Sequence, residues 1–263
     1  METLLQIDGL NAWYQMGKNV LTDLSLILNQ KEVVGLIGLN GAGKTTLIKI
    51  LTGLHDSYTV DCIRLNKEDS RLRENAFKRY RYTVFSEDNS FQYFTFEEYL
   101  RHVFLSYKTN IDYKKVEQLC SGFQFEPYKK VLIKDLSTGN KKKVFLITGF
   151  ALQPDLLILD EPVNGLDFQS TEFLYRLMRQ YNTHGTLFFS SHILESICLT
   201  ADRVIIMEHG SIGNIFNKGD IIPERIRGSL YLIRYLPERI DLGQVYLEED
   251  WEDKLYEISG LKK

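Results

Sequence analysis

Cysteine is scarce in this sequence. Cys62, Cys120 and Cys198 are odd in number and widely spaced, and none falls in a Cys-x-x-Cys pair. That pattern argues against a disulfide framework or a structural zinc site and fits a reducing compartment. An excess of one charge is missing too: 32 Lys and Arg stand against 35 Asp and Glu, a formal net charge of -3. No global basic field is present to attract nucleic acid or anionic lipid, so any such contact has to be local. Long apolar runs are absent. The longest, such as Leu156 to Leu159 and Val204 to Met207, fall far short of the ~20 residues of a membrane-spanning helix. Glu2 and Asp8 interrupt the first stretch, so a secretory signal is not expected. Internal repeats and low-complexity tracts are also lacking. What remains is a chain of 263 residues, 44% hydrophobic and 25% charged, a globular composition with room for one large domain or two modest ones.

The first third alternates strands and helices. Leu4 to Ile7 and Leu24 to Leu28 read as strands, and Glu32 to Gly38 as a buried strand that stops at glycine. A glycine-rich turn follows. Thr45 to Leu54 then carries Leu47, Ile48, Ile50, Leu51 and Leu54 at the spacing of a helix with one buried face. From about Ser70 to Asp135 the chain turns charged and aromatic; Arg71, Arg73, Lys78, Arg79 and Arg81 alternate with Phe77, Tyr80 and Tyr82. With an acidic total charge, these basic residues read as solvated faces and edges of a helical insert, and no nucleic-acid partner is expected. Phe96 to Tyr107 and Lys114 to Phe123 read as helices. Leu156 to Leu159, Thr186 to Ser190 and Arg203 to Met207 are short apolar strands separated by helical segments, the pattern of a largely parallel sheet. Beyond about Pro223, Tyr231 to Leu236 and Val245 to Leu247 read as strands of a small appendage.

Gly38-Leu39-Asn40-Gly41-Ala42-Gly43-Lys44-Thr45 satisfies the phosphate-loop pattern G-x-x-x-x-G-K-[ST], with the required strand before it and helix after it. Its glycines let the backbone curl so that N–H groups point at phosphate oxygens, and the helix beginning near Lys44 adds its positive end. Lys44 is placed to reach the β- and γ-phosphates, and the Thr45 hydroxyl to ligate Mg²⁺. A second apolar strand ends in Asp160-Glu161. Asp160 is suited to hold the metal through its water shell, and Glu161 to polarise the attacking water.

With these motifs in hand, residues 2 to 220 resemble the ATP-binding cassette (ABC) ATPases. The resemblance is carried by Leu136-Ser137-Thr138-Gly139-Asn140-Lys141-Lys142-Lys143, similar to the family signature Leu-Ser-Gly-Gly-Gln followed by basic residues. Thr138 and Asn140 depart from that pattern while staying small or polar. In the family the signature serine and glycine contact the γ-phosphate held by the opposite subunit, which assigns that role here to Ser137, Thr138 and Gly139. The run Lys141 to Lys143 reads as a solvated helix face.

Further pieces follow in family order. Tyr14 aligns with the aromatic that stacks on adenine, with Trp13 its rival. Asn40, Gly41, Ala42, Gly43 and Thr46 complete the nucleotide-binding set. Asp167, in the loop after the catalytic acid, helps couple the two sites. His192 resembles the switch histidine that bonds the γ-phosphate and attacking water. Ser86 falls where a glutamine usually touches Mg²⁺ and the water; Glu87 takes its place if the register slips by one.

The resemblance implies an α/β fold: a phosphate-loop NTPase core with a mixed, mainly parallel sheet, an antiparallel β subdomain, a helical subdomain at about 88–140 and a small C-terminal α/β appendage. The ATPase domain is then 1–222 and the appendage 223–263. It implies an ATPase using ATP and Mg²⁺ that closes head to tail with a second ATPase subunit, identical or related. One loop and one signature per chain fit a composite site. The closing dimer would drive a separately encoded membrane permease, so the chain sits at the cytoplasmic face of the cell membrane and is soluble when expressed alone. The single cassette looks more like bacterial exporters of drugs, antimicrobial peptides or lipids than importers with long regulatory tails. The alternative is a soluble ABC ATPase acting on ribosomes or nucleic acid; such members carry two cassettes or long coiled coils.

Overall fold

The computed structural model describes residues 2–72, 74–223, 225–227 and 230. Strands β1 (Thr3–Gln15) and β2 (Lys18–Asn29) form an antiparallel hairpin. Both run longer than their clean alternation suggests. The pairing shifts register repeatedly, among other places between Ile7 and Leu10, where Gly9 adopts φ 65°. A bulge of this kind switches which side chains face inward and hides a long strand from a strict period-two reading.

Strand β3 (Val33–Gly38) is buried along its whole length and leads into helix α1 (Lys44–Leu51). That helix stops short of the expected Leu54. Gly53 turns left-handed at φ 72°, and the Leu54 N–H reaches back to the Lys49 carbonyl, a glycine-terminated helix end. Short strands β4 (Tyr58–Thr59), β5 (Cys62–Leu65) and β6 (Glu68–Asp69) complete the antiparallel sheet, ordered β2-β1-β5-β6 with β4 on β1.

Helix α2 (Asn75–Tyr80) precedes β7 (Arg81–Val84). Here one basic residue departs from the solvated reading. Lys78 and Arg79 are exposed, but Arg81 is buried, with its guanidinium 4.4 Å from the Phe77 ring centre and Nη1 donating to the Leu72 carbonyl at 2.9 Å. Burial pulls its pKa down to about 10. The cation–π contact and carbonyl replace the water it loses.

The helical layer consists of α3 (Phe96–Tyr107), α4 (Tyr113–Gly122) and α5 (Thr138–Leu152). Each start is capped. Thr95 and Glu98 form a reciprocal capping box, Asp112 accepts from Lys115 N–H, and Ser137 accepts from Asn140 N–H. From Lys142 to Ala151 every α5 residue is buried, the mark of a helix enclosed on all sides. The layer is fastened to the sheet by hydroxyls: Tyr82 and Tyr99 lie 2.8 Å apart, and Tyr107 donates to the Arg81 carbonyl.

The remaining elements are β8 (Leu156–Asp160), α6 (Phe168–Gln180), β9 (Thr186–Ser191), α7 (Leu194–Thr200), β10 (Arg203–Glu208) and β11 (Ser211–Asn217). They complete a sheet ordered β11-β10-β3-β9-β8-β7, parallel except for β11. The mixed, mainly parallel sheet, antiparallel subdomain and helical layer match the expected fold. Alternate residues of the central strands enter two different cores: Val33, Leu157 and Phe189 pack toward the helical layer, while Val34, Ile158 and Phe188 pack toward α1 and the antiparallel sheet. Among the described residues, no helix is long and apolar enough to cross a membrane. The strands expected at Tyr231 to Leu236 and Val245 to Leu247 lie outside the described residues, as does most of the proposed appendage.

Candidate functional site

Strand order creates the site. β9 lies between β3 and β8 in parallel register, with Ile37 opposite Ser191 and Asp160 opposite Ser190. The carboxyl ends of these strands therefore deliver the glycine loop, the two acids and His192 to one edge, where ligands of open α/β sheets bind. Gly43 adopts φ 108°, which only glycine takes without strain, and a β-carbon there would press on Leu21. Lys44 opens α1 and is buried; its ammonium donates to the Gly38 carbonyl at 2.7 Å and the Leu39 carbonyl at 3.3 Å. Burial lowers its pKa, while the charges of Glu161 and Asp160 oppose that shift.

Asp160 is almost wholly buried at the end of β8. Ser190 donates to its Oδ1 at 2.6 Å, and the Thr45 hydroxyl lies 3.5 Å from its Oδ2. Glu161, next along, holds the left-handed conformation at φ 47°. Its N–H donates to Ser190 Oγ at 3.1 Å. Its carboxylate Oε2 lies 2.8 Å from His192 Nδ1 and accepts the His192 N–H at 3.3 Å. An acid and an imidazole thus stand within hydrogen-bond reach beside the phosphate loop.

A cavity of about 480 Å³ spans this edge, lined by Val20, Asn40 to Thr46, Ser86, Glu87, Glu161, Asn164 and His192. Ser86 and Glu87 both line it, so either register of the sequence reading puts an oxygen-bearing side chain there. Tyr14 stands beside rather than within this lining, more than half exposed, its hydroxyl 3.4 Å from Thr46 Oγ1. Its ring packs against His55 at 4.6 Å between centres, and His55 Nε2 lies 2.9 Å from the Trp13 carbonyl.

The signature residues lie elsewhere. Ser137 caps α5, and Thr138 and Gly139 pack against Gly165 in the loop after Glu161; none of them lines the cavity. The lysine run corrects the sequence reading. Lys141 is partly exposed, but Lys142 and Lys143 are buried. Lys142 Nζ donates to the Glu161 carbonyl at 2.8 Å, and Lys143 pairs with Asp167 at 2.7 Å. The reason is the burial of α5 from Lys142 onward: a helix apolar on all sides has no face to leave in water. Asp167 also caps α6 by accepting the Ser170 N–H at 2.8 Å. The Lys143 hydrogen bond, followed by that N–H, holds its carboxyl well below the usual carboxylate range.

Four further residues of the site were given no role there by the sequence. Val20 comes from β2, far away in sequence. Asn164 and Ser190 sat inside motifs recognised for their neighbours. Lys142 alone had a signal, since three lysines open a helix whose continuation is apolar on every side.

The family model described as ABC transporter matches residues 21–164. The protein provisionally named ABC transporter ATP-binding protein AlbC, from Bacillus subtilis (strain 168), is 33% identical over 223 residues, covering 83% of this chain and 93% of that protein. The sulfate/thiosulfate import ATP-binding protein CysA of Bacillus cereus is 29% identical over 214 residues, covering 79% of this chain and 60% of that protein. A solved structure of the ATP-binding subunit of an ABC transporter superimposes with a TM-score of 0.75 at 27% identity, covering 98% of this chain and all of that one.

Proposed function

Because the chain belongs to the ATP-binding, ATP-hydrolysing subunits of ABC transporters, we propose that it binds ATP at the cavity beside α1. In this reading it closes head to tail on a second ATPase subunit and drives a separately encoded membrane permease. One observation carries the dimer. Asn40 to Thr45 of the phosphate loop, Glu161 and His192 line one cavity, while Ser137, Thr138 and Gly139 lie outside its lining. A second chain brings its signature to the γ-phosphate of the first, and the N–H groups opening its α5 complete the anion site.

In that closed state Tyr14 stacks on adenine, and the loop N–H groups from Asn40 to Thr46 cradle the phosphates. Lys44 leaves the Gly38 carbonyl for the β- and γ-phosphates. Glu161 takes a proton from water as its oxygen bonds to the γ-phosphorus and the bond to ADP breaks, giving ADP and inorganic phosphate. His192, anchored by Glu161, holds the water and γ-phosphate in line.

The donors fit Mg²⁺. Thr45 and Asp160 offer hydroxyl and carboxylate oxygens 3.5 Å apart, and among the described residues no cluster of three or more His, Cys, Asp or Glu could hold a metal. That set suits an ion that takes its remaining ligands from phosphates and water. Ser86 or Glu87 supplies the further contact. When bound, the ion neutralises charge on the phosphates.

Replacing Glu161 with Gln tests this reading: kcat falls about 100-fold or more, ATP still binds, and an ATP-dependent dimer accumulates on size-exclusion chromatography. Near-normal turnover in the intact complex overturns it. For direction we propose export of drugs, antimicrobial peptides or lipids, supported by the likeness of the single cassette to bacterial exporters. ATP-driven uptake of such compounds into inverted membrane vesicles is the expected result, and transport only in the opposite sense refutes it.

A further inference from the structure

Glu161 holds its left-handed backbone, φ 47°, directly after β8. A non-glycine residue keeps such a conformation only where its surroundings over-determine it. Three groups grip the backbone on either side of its Cα: Ser190 Oγ accepts the N–H at 3.1 Å, while the carbonyl accepts from Lys142 Nζ at 2.8 Å and from the Asn164 N–H at 3.3 Å, Lys142 being the one charged donor and the closer. Lys142 reaches it from α5, nineteen positions earlier, with only 4% of its surface exposed. An ammonium that dry needs anions and acceptors around it. The carboxylates of Asp160, Glu161 and Glu87 all favour its charge, although burial outweighs them and lowers its pKa.

Its neighbour makes the contrast. Lys143 pairs with a side chain, Asp167, half of which faces solvent. Lys142 instead holds the backbone of the one residue whose carboxylate lines the cavity and touches His192.

We propose that Lys142 is a positioning residue for hydrolysis: by tethering the Glu161 carbonyl it fixes the strained peptide and aims the Glu161 carboxylate at the attacking water. This rests on Glu161 being the base. Loss of the tether lets the peptide relax toward an ordinary conformation and swings the carboxylate away, and a displacement of about 1 Å at a reacting group costs on the order of 100-fold in rate.

The test compares Lys142→Met, Lys142→Arg and Glu161→Gln in the full-length chain with ATP and Mg²⁺, together with its membrane partner where turnover requires it. Lys142→Met is expected to lower kcat about tenfold or more while KM for ATP moves less than about twofold, and to accumulate the ATP-dependent dimer as Glu161→Gln does. Lys142→Arg, which still donates to the carbonyl, recovers most of kcat. The proposal is overturned if Lys142→Met turns over normally, if it loses ATP binding together with turnover, or if Arg serves no better than Met. The parallel variant separates the two readings. Normal turnover of Glu161→Gln removes the base and the tether's purpose together, whereas an inactive Glu161→Gln beside a normal Lys142→Met removes Lys142 alone.

Discussion

Gly139, one residue into α5, lies so close to Gly165, in the loop after Glu161, that a β-carbon on Gly139 would collide with the Gly165 carbonyl oxygen. Gly165 itself is left-handed, φ 81°. The helix α5 and the loop leaving Glu161 therefore touch backbone to backbone. Any chain bringing its signature to a neighbour's phosphate brings this loop with it.

Gly139→Ala forces that contact apart. Because the obstacle is backbone rather than a side chain that can turn aside, the substitution is expected to cost about 1–3 kcal/mol of stability and to lower hydrolysis in the assembled dimer. Urea denaturation of the variant checks the first expectation and steady-state turnover the second. Unchanged stability would show that the two loops separate freely.

The Lys143–Asp167 pair predicts a pH dependence. Asp167 titrates below the ordinary carboxylate range in the folded chain because of Lys143 and the Ser170 N–H. Its contribution is complete above the unfolded value of about 3.9 and drains away as pH falls through the lower folded value. Asp167→Asn keeps a capping side chain for α6 and removes the charge. The stability gap between wild type and variant should be constant from about pH 5 to 7 and shrink below about pH 4. A gap that stays constant down to about pH 2 refutes the pairing.

Tyr14 is predicted to act on affinity rather than rate. Stacking of a base on an aromatic is worth ~1–3 kcal/mol, so Tyr14→Ala should raise KM for ATP about 5- to 150-fold and leave kcat within about twofold. Tyr14→Phe should bind normally, since the hydroxyl makes only a 3.4 Å contact with Thr46. The same measurement on Trp13→Ala decides between the neighbours. If that variant alone raises KM, the platform is Trp13.

The parts of the site legible in the sequence are those whose chemistry is written in consecutive residues. Val33 to Gly38, the glycine loop and α1 follow one another because a phosphate cradle needs a strand, a curl and a helix start in that order. Asp160 and Glu161 close an apolar strand for a similar reason. The contacts that tune the site join distant segments. Ser190 reaches Asp160 only because β8 and β9 pair in register, and Lys142 reaches Glu161 only because α5 is enclosed. A run of three lysines reads as solvated until the helix carrying it is known to have no wet face. The length of β1 was hidden in a different way, by bulges that break its alternation.

The two-sided burial of β3, β8, β9 and β10 has a thermal consequence. Each strand contributes alternate residues to both cores, so melting either core strips one face of the same four strands and drags the other core with it. The cassette should lose its structure in one cooperative step. Because the glycine loop hangs from β3, nucleotide gripped there raises the melting temperature of the whole cassette.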